Sequence, residues 1–226
     1  MRALRNGLTV CVLTAGIAAR EPVVAQQKGE ELPVVPAGVA VVVLPLQSAQ
    51  PTAGGAWPGG AESLDATLEA FSAELAFAFA EERGAAGWAM PRQVRERTAR
   101  NPMVGVDPRH LSYQGLLRKP KKRDQIYEPL HGQLRKLAAL FGARLVLLPL
   151  AIWYESEPPR QTATRGSSGE AATPAEGRGV LLLALVDVRR SAVLWHGTIA
   201  GDVAPPRSPA LLATLAQRVA HQLSPS

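Results

Sequence analysis

"LLLALVDVRRSAVLWHGTIAGD", residues 181–202, decides how the rest of this 226-residue chain is read. A nearly unbroken apolar run meets Arg189-Arg190-Ser191, and a second apolar run follows at once. Two such runs around a short polar turn predict an antiparallel β-hairpin. Val180, Leu182, Ala184 and Val186 on the first strand, with Val193, Trp195 and Ile199 on the second, supply apolar surface for packing. The two arginines then sit on the solvated tip, or form a contact at the sheet edge.

Working outward, the other elements fall into place. "ARLVLLPLAIWYE" (residues 143–155) and "GVAVVVLPL" (38–46) are continuous apolar runs, the pattern of strands covered on both faces. Between them, Leu64, Leu68, Phe71, Leu75 and Phe79 recur at steps of three and four, which predicts a helix over 63–83. "GWAM" (87–90) reads as a short strand. Pro91 can open a short helix that Asn101-Pro102 closes, and Asp107-Pro108 can start another through Leu117. A clearer helix is expected from Gln125 to Phe141, ended by Gly142. A last helix, opened by Ser208-Pro209, carries Leu212, Leu215, Val219 and Leu223.

Strands alternating with helices favour parallel neighbours, whereas the final strands, joined without helices, require an antiparallel meander. The expected fold is one α/β domain over 37–224, a three-layer sandwich with a mixed sheet and helices on both faces. Residues 156–177 contain no aliphatic side chain larger than alanine, and read as a flexible loop.

The amino terminus carries an address. Arg2 and Arg5 precede an apolar run, Leu8 to Ala19, and "VVA" ends at Ala25, which fits a signal peptide over 1–25 followed by a tether over 26–36. The run is too short to span a bilayer, for which about 20 residues are needed. Cys11, the only cysteine, falls inside the signal, so a disulfide or cysteine metal site in the mature chain is excluded. Val10 precedes it and it comes early, so lipidation is not expected. Removal of the signal takes three arginines and one glutamate, lowering net charge from +6 to +4.

Catalytic motifs are scarce. Gly54 and Gly59 have the outer spacing of a phosphate-binding loop, but Gly60 and Ala61 stand where lysine and Ser/Thr are needed. "RGSSGE" is no nucleophile elbow. His110, His131, His196 and His221 form no metal-ligand spacing. No catalytic residue, cofactor or metal is therefore expected. The strongest charge feature is "RKPKKR", where Arg118, Lys119, Lys121, Lys122 and Arg123 form a candidate contact for an acidic protein patch or another anionic surface. Export and the lack of interleaved aromatics argue against nucleic acid.

"VAVVVLPL" with its following helix, "LAALFGARLVLLPLAIW", and "ALVDVRRSAVLWHGTI" together resemble a bacterial envelope group. It comprises the TolB amino-terminal domain, CsgG and LpoB, and the likeness covers about half of the mature chain. At the hairpin turn, Arg190-Ser191 replace the group's Thr-Gly, against a two-residue turn of positive φ. The resemblance implies a binding or assembly component rather than an enzyme, so the expected function is a non-enzymatic exported protein that binds other envelope proteins. Its candidate contacts are the basic segment, the loop from Ser156 to Gly177, and Arg189 and Arg190 at the hairpin tip. The rival is a periplasmic hydrolase or ligand-binding enzyme whose site assembles only in three dimensions, from residues such as Asp107, His110, Asp187, His196 and Asp202.

Overall fold

The computed structural model describes residues 33–48, 64–82, 85–117, 125–156, 176–205 and 208–223. The signal peptide and the basic segment 118–123 therefore lie outside the described residues, as do 157–175 of the expected loop. A four-stranded sheet is built from β1 (Val41–Val43), β2 (Leu145–Ser156), β3 (Gly177–Asp187) and β4 (Ala192–Ala204), in that spatial order. β1 and β2 are parallel, and β2–β3 and β3–β4 are antiparallel. The mixed sheet and its final meander are as the sequence predicts.

Alternation along the strands divides the core in two. Val41, Val43, Leu145, Leu147, Leu183 and Leu185 meet α1 (Leu64–Glu81) and α4 (Ala210–Leu223). Val42, Val146, Leu148, Ala184 and Val186 face the other way, onto α2 (Pro91–Ala99) and α3 (Leu130–Leu140). Since side chains alternate with period two, a strand of consecutive aliphatic residues fills both layers at once. Leu150 is an extra residue where the β2–β3 register shifts. That bulge sits beside Pro149, which has no N–H to give the ladder.

The expected elements differ from those observed at four places. "GWAM" is a single bridge, not a strand: Ala89 exchanges two backbone bonds with β1, at 2.8 and 2.9 Å, before Pro91 starts α2. The helix expected from Gln125 begins at Leu130, because a proline at 129 disfavours helical geometry at the residue before it. Gln125 bridges Ala192 on β4 instead. The helix expected over 107–117 is reduced to a short 3-10 turn, Tyr113–Leu116. Its backbone is held by Gln47, whose side chain donates to the Pro45 and Pro108 carbonyls at 2.8 and 2.9 Å and accepts the Leu111 N–H at 3.1 Å. Finally, Val35, within the expected tether, is buried, and its N–H donates to the Leu223 carbonyl at 3.1 Å.

Glycines seat α4 on the base of the hairpin. A Cβ at Gly179 would lie 2.8 Å from Leu215 Cδ1, and one at Gly201 2.9 Å from Thr214 Oγ1. No helix among the described residues is long and apolar enough to cross a membrane.

Candidate partner-binding site

The hairpin tip is built around Asp187, whose side chain is fully buried. One carboxylate oxygen accepts the backbone N–H groups of Arg189 and Arg190 at 3.0 and 3.2 Å. The other accepts two guanidinium N–H groups of Arg144, at 2.8 and 2.5 Å. Burial alone would raise the Asp187 pKa. The Arg144 guanidinium and the two backbone donors outweigh it and hold the carboxyl below its ordinary value. Four residues, Val188–Ser191, make the turn, and Ser191 alone takes a positive φ, 55°. The two-residue turn is absent, as the Arg-Ser sequence implies.

α3 holds this tip from the side. His131 Nε2 lies 2.8 Å from Ser191 Oγ and 3.1 Å from the Val188 carbonyl. Glu128 Oε1 stands 3.4 Å from His131 Nδ1, while its other oxygen accepts the Gly132 N–H at 3.0 Å. The Ser–His–Glu order has the outline of a nucleophile with its base and orienting acid. The roles at Nε2 depend on the tautomer: a protonated Nε2 donates to the Val188 carbonyl, and an unprotonated one accepts from Ser191. The Nδ1–carboxylate distance exceeds ordinary hydrogen-bond length. His131 pins the turn to α3.

Beside the pin lies a concavity of about 760 Å³, lined among others by Arg135, Lys136, Gly142 and Arg189. Arg135, Lys136 and Arg189 line it together with glycines and alanines, and the Glu128 carboxylate stands beside two of its other lining residues, Gly132 and His131. Among the described residues, Arg135, Lys136 and Arg189 form no ion pair, whereas Arg190 lies 3.9 Å from Asp187. Of the two tip arginines anticipated from sequence, Arg189 shares this concavity with two basic residues of α3 that the sequence pattern did not single out. Arg135 and Lys136 look like ordinary charges near a helix end; only the hairpin's docking on α3 gives them a shared groove. The Gln125 bridge places the residue two after Arg123 at this same tip.

Asp107, His110, His196 and Asp202 do not converge with Asp187 into a common site, and each has its own partners. Asp107 pairs with His110 at 2.9 Å and accepts the Arg109 N–H at 2.9 Å. His196 Nε2 reaches the Leu116 carbonyl at 2.6 Å. Asp202 pairs with Arg218 at the base of the hairpin, roughly 30 Å of strand from the tip at about 3.3 Å per residue. Among the described residues no group of three or more His, Cys, Asp or Glu could hold a metal ion. A second concavity, of about 720 Å³, lies beyond the end of β1 and includes Asp65, Glu69, Arg95 and Arg109. There the Arg95 hydrogen bond, aided by Arg109, holds the Glu69 carboxyl below its ordinary pKa. Both of its arginines pair with Glu69.

No protein-family model matches the chain, and no curated protein matches it. Three solved structures similar to it are the PelC dodecamer from Paraburkholderia phytofirmans, the LpoB C-terminal domain from Salmonella enterica and the lipoprotein GNA1162 from Neisseria meningitidis. Identities are 13%, 14% and 19%, with TM-scores of 0.38, 0.36 and 0.38. The matches cover 85%, 74% and 81% of this chain, and 94%, 84% and 96% of the others. LpoB is the one of these named in the sequence resemblance; the TolB and CsgG likenesses rest on sequence alone. One of the three is a lipoprotein, so the expectation of no lipidation finds no support among them. No residue role is carried over from any of them.

Proposed function

We propose that the chain is a non-enzymatic, exported envelope protein that acts as a protein-binding or assembly module. In this reading residues 1–25 direct export and 37–224 form the binding domain. The observation that carries it is the groove at the hairpin tip, lined by Arg135, Lys136 and Arg189, none of which forms an ion pair among the described residues. Unmatched like charges destabilise a surface locally and raise its affinity for an acidic one. The basic segment Arg118 to Arg123 is a second candidate contact in this reading. The resemblance of "ALVDVRRSAVLWHGTI" and its companions to the envelope group supports the same reading.

The test is affinity capture from gently cross-linked envelope fractions, using tagged chain. Two variants accompany it, one with Arg135, Lys136, Arg189 and Arg190 changed to glutamine and one with the 118–123 cations so changed. Loss of a reproducible envelope protein from the first variant supports the reading. Equal capture by all three proteins contradicts the groove as the contact.

A further inference from the structure

The basic groove has a counterpart on the opposite side of the same chain. α1 buries Phe71, Leu75 and Phe79, yet its outer side is also apolar. Ala70, Ala73, Phe77 and Ala80 follow one another at steps of three and four, and Phe77, at the centre of this line, is 60% exposed. An outward helix face normally carries polar residues, so a solvent-facing phenylalanine among alanines marks a contact surface. The charges flanking it are of one sign. Glu74 and Glu81 lie three residues before and four after Phe77, where helix geometry brings them beside it, and α1 contains no basic residue. Glu69 spends its charge on Arg95 and Arg109.

We infer that the outer face of α1 docks in the α3–hairpin-tip groove of a second copy of this chain. The inference rests on the reading of that groove as a protein-binding surface, and names its occupant. The two surfaces match in chemistry. Glycines and alanines line much of the groove, whose volume of about 760 Å³ has room for an aromatic side chain. Arg135, Lys136 and Arg189, which also line it, are the charges that Glu74 and Glu81 would meet. Within one molecule they cannot meet, because α1 and α3 cover opposite faces of the sheet. Pairing α1 with α1 would juxtapose acids, and groove with groove would juxtapose cations. The remaining arrangement is head-to-tail, which closes into a ring or continues as a filament.

The experiment uses purified chain and sedimentation velocity at low and high salt. Wild type assembles beyond a monomer, and salt weakens the assembly. Charge reversal on α1 (Glu74→Lys with Glu81→Lys) abolishes assembly, and so does reversal in the groove (Arg135→Glu with Lys136→Glu). Unchanged melting curves show that both variants fold. Mixed together, the two variants restore assembly, since each now presents the complement of the other. A monomeric wild type, assembly insensitive to either reversal, or a mixture that stays monomeric overturns the inference. Loss on α1 reversal alone also overturns it, because the groove is then not what α1 docks on. If purified chain is monomeric while envelope capture still depends on the groove, the self-docking inference fails and the proposed function stands.

Discussion

The two ends of the β3–β4 hairpin are made of similar strand yet treat charge in opposite ways. At the base, Gly179 and Gly201 let α4 lie close, Arg218 donates to the Ala200 carbonyl and pairs with Asp202, and Thr214 accepts the Asp202 N–H at 3.2 Å. Charges there are matched and the strand edge is pinned by the helix. At the tip, the buried Asp187 consumes Arg144 and the turn's N–H groups, leaving Arg189 with Arg135 and Lys136 around an open groove. The base is built for cohesion. The tip is cohesive inside and carries unpaired cations outside, which is what the proposed partner contact requires.

The comparison breaks first at Asp187. Asp187→Ala leaves Arg144 without its partner and two turn N–H groups without an acceptor, and is expected to cost about 2–4 kcal/mol in denaturant unfolding. A loss under about 0.5 kcal/mol would mean that the turn stands without its buried acid. The same residue predicts a pH dependence. Its folded pKa is lowered, so its contribution is complete above the unfolded value of about 3.9 and is lost as pH falls through the lower folded value. Asp187→Asn should therefore be less stable than wild type near neutral pH, with the gap closing in acid. A constant gap across that range would contradict the assignment.

At the base, Gly201→Ala should cost about 1–2 kcal/mol, because its Cβ would crowd Thr214 and Leu215 on α4. A thermal scan that shows no loss would place α4 farther from the hairpin than described. Arg218→Ala is smaller still. Its ion pair is solvent-exposed, so about 0.5 kcal/mol or less is expected. The smallest effect on stability belongs to the tip cations. Arg135→Gln, Lys136→Gln and Arg189→Gln should leave the melting temperature nearly unchanged while lowering partner capture. A marked destabilisation would turn these residues into fold determinants and remove the contrast between the two ends.

Much of the architecture can be read from periodicity. The runs at 38–46, 143–155 and 181–202 become β1, β2 and the hairpin because uninterrupted aliphatic stretches have few other places to go. The stripe of α1 is legible for the same reason, but only on its buried side: Phe71, Leu75 and Phe79 mask the second line through Phe77. Short elements escape. Ala89 makes one bridge because Pro91 follows too soon, and the 107–117 segment spends its backbone bonds on Gln47, 61 and 64 residues away in sequence. Of the candidate site, Arg189 and Arg190 stand out as the polar break in an apolar run. Arg135 and Lys136 do not, since their nearness to the tip comes from His131 and the Gln125 bridge, both long-range contacts.

The most direct test of the tip-versus-base distinction is site-specific photocross-linking in living cells, with the probe placed once at Arg189 and once at Asp202. A discrete cross-linked protein from position 189, absent from position 202, is what the account predicts. Equal adducts at both positions, or adducts only at 202, would contradict it.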